Sequence, residues 1–354
     1  MSWMREETRR GEGPSRRAVV GGLAAGTAAL GLGCAALMPR LGREQAVIIG
    51  GGPAGAAAAI ALRQHRPDAS VLLIERDPTR LGLLVQGAQL SPVPMGPDLS
   101  TLRRAEVEVA VDEAVGLDWS RGRLALMSGR DVAFDRLVVA PGTAPVAEAI
   151  PGLDARARHH WPAAWGSARE ARRLEAQLHG LPEAGHVVLR LPAQISHQQA
   201  AVARALFLAQ WLQDHRPAGR LTVLDATADD RLRIAFDARV AGAAEAGRDL
   251  RTRVDWLGAR RGGVVTGIDT AAGTLETPSG RLHADVVNFV SPQAAGQVAA
   301  LAGLTDASGW CPVDAAGRST QRTRTLVLGD ARKGVMRTAE QALTSAQKGV
   351  SALS

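Results

Sequence analysis

The sequence predicts an α/β chain of two strand–helix–strand units in tandem, closed by a small α+β region at the C-terminal end. Three observations predict it. A strand-like run at 45–49 is followed by a glycine turn, an alanine-rich segment to about Gln64 and a second apolar run at 70–75. The same order returns mid-chain, where runs at 187–189 and 221–225 flank a helical pattern over about 199–214. The length of 354 residues holds roughly two domains at about 150 residues each.

The first element precedes the fold. Residues 1–17 are polar and end in Ser15-Arg16-Arg17, and 18–38 carry no charge and are rich in Ala, Gly, Val and Leu. A paired arginine before a mild apolar stretch resembles a twin-arginine export signal, which delivers folded proteins to the periplasm. Left uncleaved, the segment 1–43 would anchor the chain in the membrane. Cys34 follows Gly31-Leu32-Gly33, a poor lipoprotein box. This segment also explains the charge. It holds seven arginines and three glutamates, so it carries +4 of the formal +7. The remainder is only mildly basic, and the chain has no tyrosine and 3% aromatics, which argues against a nucleic-acid partner. With 46% hydrophobic residues the chain is no disordered tail, and its two cysteines exclude a disulfide scaffold and a cysteine zinc site.

The second element, 44–157, carries the chemistry. After the first strand comes Gly50-Gly51-Gly52-Pro53-Ala54-Gly55. Gly50 permits the tight turn, Gly52 lets the backbone approach a pyrophosphate, and Gly55 lets the helix pack on the strand. Free N–H groups at the helix start, from Ala54 onward, suit phosphate. Glu75 lies 20 residues past Gly55, where a carboxylate accepts from ribose hydroxyls, and Arg76 follows it. These are the marks of a dinucleotide site in a Rossmann-like domain. Pro53 within the turn resembles flavoproteins, which points to FAD. Two more segments agree: the strand 134–140 ending in Pro141-Gly142, and the strand 325–328 ending in Gly329-Asp330. By resemblance to two-domain flavoproteins, the first is a return strand and Asp330 hydrogen-bonds the ribityl chain.

The third element, 158–265, reads as a second Rossmann-like domain. Its turn, 190–197, has no glycine, so a nicotinamide cofactor would lack close backbone approach. The domain is expected to keep the shape but not NAD. The fourth element, 266–354, returns to the FAD domain and forms the C-terminal region. His159-His160 suggest a metal only superficially, since adjacent side chains on a loop diverge and no third ligand is evident; no metal is expected.

Residues 134–142, Trp161-Pro162-Ala163-Ala164-Trp165, 287–296 and above all 302–314, with Gly309-Trp310-Cys311-Pro312-Val313-Asp314, resemble the flavoprotein subunit of flavocytochrome c sulfide dehydrogenase. The resemblance runs from about Glu44 to Ser354. That family is related to sulfide–quinone oxidoreductases and, more distantly, to glutathione-reductase-like enzymes. It implies a glutathione-reductase-like fold, a periplasmic location, bound FAD, a small-molecule reductant and electron transfer to a c-type cytochrome subunit. It also implies a redox disulfide beside the flavin, with Cys311 as one partner.

The chain departs from that pattern. The second cysteine of the pair falls on His197, and no cysteine is near it. The region 80–84, where many family members tether FAD through a cysteine, has none, so FAD is expected to be non-covalent. A disulfide relay needs a second sulfur, and imidazole cannot replace it. Two readings of His197 stay open: a Cys–His pair with Cys311 that lowers the thiol pKa, or a surface or hydrogen-bonded histidine left after the cysteine was lost. The chain has no Cys-x-x-Cys-His and attaches no c-type haem itself. Three functions remain open: an exported FAD oxidoreductase with its relay lost, a non-catalytic FAD-holding docking subunit, and a persulfide carrier using Cys311.

Overall fold

The computed structural model describes residues 43–84, 90, 93–245, 250 and 254–353. The expected export signal with Arg16 and Arg17, its membrane-anchoring role and Cys34 lie outside the described residues.

The first unit opens with β1 (Gln45–Ile49), α1 (Pro53–His65) and β2 (Ser70–Glu75). Helix α2 (Leu99–Arg104) leads to β3 (Glu108–Val111). An antiparallel meander follows, β4 (Ala114–Asp118), β5 (Arg123–Leu126) and β6 (Asp131–Ala133), and then β7 (Arg136–Val139). Strand β1 is buried from Ala46 to Ile49 and β2 from Val71 to Glu75. Parallel strands covered on both faces need such unbroken apolar runs, which is why these segments show no alternation.

The second unit repeats the plan. After β8 (Thr143–Pro145) come α3 (Ala155–His160) and α4 (Ala168–His179), the latter capped by Ser167, whose Oγ accepts from the Glu170 amide. Then follow β9 (His186–Leu191), α5 (Gln198–His215), β10 (Arg220–Asp225), α6 (Arg231–Glu245) and β11 (Val254–Gly258). A second meander, β12 (Gly267–Asp269), β13 (Thr274–Thr277) and β14 (Gly280–His283), precedes β15 (Val286–Phe289). The chain returns through β16 (Gln293–Ala295) and α7 (Gln297–Leu301), and ends with β17 (Thr325–Val327) and α8 (Ala339–Ser351).

The first parallel sheet has the order β17-β7-β1-β2-β3 and the second β11-β10-β9-β15. The expected boundary at 265 therefore falls too early. Strand β15 pairs with β9, so the second unit extends to Phe289. The two crossings between units, β8 and β16, pair antiparallel. Helix α8 closes the first unit by packing Ala342, Ala346 and Val350 into the core that holds Ala56, Ala59 and Leu62 of α1. Small side chains on both helices allow that close approach. His159 and His160 stand in the last turn of α3 rather than on a loop, both exposed, and no metal-holding cluster occurs among the described residues.

Candidate functional site

A cavity of about 510 Å³ opens at the carboxyl ends of the first sheet's strands. Ligands bind there in parallel α/β sheets because loops and helix N-termini converge at that edge. Gly50, Gly52, Pro53 and Ala54 line it from the β1–α1 turn, and Glu75 and Arg76 from the end of β2. Pro141 and Gly142 follow β7, and Gly329 and Asp330 follow β17, on the same wall. Gly55 lies behind the wall. A Cβ there would meet the Gly50 carbonyl oxygen at 1.8 Å, which is the packing role its position predicted.

The turn leaves its backbone open to the cavity at one position and closed at the others. Gly50 has φ of +100°, and a Cβ on it would strike the Ala140 oxygen at 2.2 Å. Gly52 is the opposite case, because a Cβ on it would meet no atom within 4 Å. That open space is where a ligand can approach the backbone. Gly52 also caps α1 without a side-chain hydrogen bond, Pro53 occupies the first turn, and no acid sits there. The first amides of α1 are left free for phosphate oxygens.

Glu75 is only 8% exposed yet lines the cavity. Its Oε2 accepts from the Gly51 amide at 2.6 Å and its Oε1 from the Asp77 amide at 2.9 Å. The carboxylate is thus fixed in orientation, with lone pairs left for hydroxyl donors. Beyond it, Asp112, Glu113, Val115 and Met127 continue the wall. Burial works to raise the Asp112 pKa. Hydrogen bonds from Ser128, the Glu113 amide and Arg130 outweigh it and hold the carboxyl below its ordinary value. The sequence reading missed this end. Its signal was positional, since Asp112 is the first residue past β3, at the edge where parallel sheets bind ligands.

The residues present fit FAD: a glycine cradle for the pyrophosphate, Glu75 for a ribose, and Asp330 farther along the same wall for a hydroxylated chain. No cysteine stands between Glu75 and Val85 to tether it.

The second unit's turn is different. His197 caps α5, and Asp225 at the end of β10 is 1% exposed. Asp225 Oδ1 accepts from the Thr227 amide and hydroxyl at 3.0 and 2.7 Å, and its Oδ2 accepts from Trp256 Nε1 at 3.1 Å. The acid at the position suited to a ribose is taken by protein donors. Arg190, near the end of β9, is 3% exposed and holds Glu148 through its two terminal guanidinium nitrogens, at 2.7 and 2.6 Å.

His197 and Cys311 do not form the pair that one reading anticipated. Cys311 is fully buried, and burial, with the Asp306 charge second, pushes its thiol up to about 12. An activated thiol would move the other way. Its amide donates to the Ala331 oxygen at 2.9 Å, and its oxygen accepts from the Lys333 amide at 2.8 Å. His197 is 3% exposed, with Nδ1 2.7 Å from Ser196 Oγ and Nε2 3.5 Å from Asp330 Oδ2. Both residues reach the turn at 329–333, Cys311 through its backbone and His197 through its ring.

This fold is that of glutathione-reductase-like flavoproteins with two dinucleotide-binding domains. Residues 44–189 match the family described as pyridine nucleotide-disulphide oxidoreductase, a family of FAD-dependent oxidoreductases. Solved structures agree on the fold. The sulfide:quinone oxidoreductase of Aquifex aeolicus superposes with a TM-score of 0.62 at 19% identity, over 88% of this chain and 76% of that one. A ferredoxin reductase of Rhodopseudomonas palustris gives 0.64 at 19%, over 88% and 76%. The NAD-dependent persulfide reductase of A. fulgidus gives 0.63 at 20%, over 87% and 59%.

Proposed function

We propose that this chain is an exported FAD-dependent oxidoreductase that takes electrons from a reduced sulfur compound and passes them to a c-type cytochrome, without a disulfide relay. The observation that carries the reading is the cavity wall running from Glu75 past the Gly52 cradle to Asp330, with no thiol pair beside it among the described residues. FAD, when bound, supplies two-electron chemistry toward a donor and one-electron chemistry toward a haem. The chain's part is to bind and orient. The α1 amides hold the pyrophosphate, Glu75 accepts from a ribose, and Asp330 accepts from the linking chain. Export by the twin-arginine route suits a protein that acquires its cofactor before crossing the membrane.

NAD(H) is not part of this reading, because the 190–197 turn lacks glycine and Asp225 is occupied by Trp256 and Thr227. The buried Cys311 thiol also favours a second reading, an FAD-holding subunit that docks a partner without turnover. It weighs against a persulfide carrier, which needs an accessible thiolate. One experiment separates them. Purified protein is incubated with FAD, desalted, and mixed with sulfide, polysulfide or a thiol while the visible spectrum and cytochrome c reduction are followed. Bleaching by polysulfide or a thiol, with cytochrome reduction, supports the oxidoreductase. Flavin that none of these donors bleaches supports the docking subunit.

A further inference from the structure

At the position where the resemblance places a cysteine, the chain carries a group that holds protons but not electrons. We propose that Ser196, His197 and Asp330 form a proton-holding relay on the cofactor cavity, so that electron entry into the cavity draws a second proton onto His197. The proposal rests on the FAD reading above.

The hydrogen-bond pattern carries it. Nε2 stands 3.5 Å from Asp330 Oδ2 and Nδ1 2.7 Å from Ser196 Oγ; because a carboxylate only accepts, the tautomer that satisfies both contacts has its hydrogen on Nε2 and takes the Ser196 hydroxyl at Nδ1. A second proton on Nδ1 requires an acceptor, and the same hydroxyl supplies one by rotating, since a serine oxygen both donates and accepts. Both ring nitrogens keep a partner in either charge state. A histidine fixed only for packing has no need of that reversibility. Its side chain is 1% exposed and that of Asp330 14%, so water screens the charge little. Asp330 lines the cavity, which places the relay one carboxylate away from the ligand.

Charged groups surround the relay. Asp330 Oδ2 stands 3.5 Å from His197 Nε2. Beside Asp330 stand Arg337, whose Nε donates to the Asp330 carbonyl at 2.9 Å, and Arg332, whose Nε donates to the Gly329 oxygen at 3.2 Å. Arg204 of α5 lies 5.8 Å from the ring of Trp165, whose edge meets His197. Glu170 of α4 accepts from the Ala164 amide beside that tryptophan, and burial raises its pKa. Cys311 stays a neutral thiol and adds no charge. Further negative charge in the cavity, on the far side of Asp330, draws a proton toward the ring through that carboxylate.

The balance is simple. A reductant such as dithionite supplies two electrons and water supplies two protons. One proton accompanies the electrons onto the cofactor, and the other forms the N–H bond at His197 Nδ1. Each proton leaves an O–H bond of solvent, the hydroxide left behind is taken up by the buffer, and no other bond of the chain forms or breaks.

The test is a potentiometric titration of FAD-loaded protein at several pH values from about 7 to about 8.5, where histidine charge is within reach of small shifts. The slope of midpoint potential against pH counts protons per two electrons. The wild type is expected to take up two. His197→Gln, which still donates an amide hydrogen to Asp330 but holds no extra proton, is expected to take up one, a twofold smaller slope. One proton per two electrons in the wild type overturns the proposal, as do two in both proteins. If the variant retains no FAD, the wild-type slope decides alone. A wild type that takes up no FAD overturns the functional reading and this proposal with it. FAD uptake with the single-proton slope overturns the proposal only.

Discussion

The Asp225 carboxylate accepts a hydrogen bond from the indole of Trp256 at 3.1 Å, and both groups are buried in the second unit. The corresponding acid of the first unit, Glu75, opens instead onto the cavity. The two halves share a plan but only one presents its acid to a ligand. NADH is therefore expected to reduce bound flavin negligibly at micromolar concentration. Rapid-mixing absorbance checks this, and fast bleaching by NADH would refute it.

Bound flavin is expected to be non-covalent. Acid precipitation should leave all yellow colour in the supernatant. Gly52→Asp should lower FAD affinity at least tenfold by placing a carboxylate in the cradle. The same aspartate is a good N-cap and meets no atom, so the melting temperature of the cofactor-free protein should hold within about 2 °C or rise. A large fall in that temperature would show that Gly52 serves packing instead.

Cys311 is expected to resist thiol reagents in the folded protein near pH 8 and to react once unfolded. Burial raises its pKa to about 12, above the value of an unfolded thiol, about 8.5. The unfolded chain therefore loses this proton first as pH rises. The thiol's contribution to stability is complete below about pH 8.5 and is lost up to about pH 12, at no more than about 1.4 kcal/mol per pH unit. Denaturant unfolding of wild type and Cys311→Ala across alkaline pH reads this difference, and equal pH dependence would contradict it.

Export should depend on the identity of the arginine pair and not on its charge. Replacing Arg16 and Arg17 by lysine should leave the protein in the cytoplasm, because a receptor reads the pair. Cell fractionation with unchanged periplasmic accumulation would refute this.

Much of the first unit was legible because each signal was local. Gly50, Gly52, Gly55 and Glu75 sit at fixed spacing around one turn: a Cβ on Gly50 or Gly55 would strike a backbone oxygen, Gly52 faces open space, and Glu75 accepts from the Gly51 amide. The Pro141-Gly142 and Gly329-Asp330 turns were legible because a short apolar strand precedes each. The boundary near 265 was misplaced because β15 joins its sheet only after a meander, and sheet membership is a long-range pairing. The Asp112 end was missed for a similar reason, since β3 is short and only its place beside β2 puts Asp112 at the binding edge. Whether His197 meets Cys311 could not be read from spacing at all. It depends on where the second unit's turn meets the 329–333 turn, and the ring meets Asp330.

A flavin site without thiol chemistry makes a sharp demand on sulfide-dependent cytochrome c reduction. FAD-loaded wild type and Cys311→Ser are compared under the same conditions. Weak or absent turnover with sulfide is expected in the wild type, with no further loss in the variant, because the buried Cys311 thiol offers sulfide no electrophilic sulfur. Turnover as fast as that of a two-cysteine enzyme, abolished by Cys311→Ser, would contradict it.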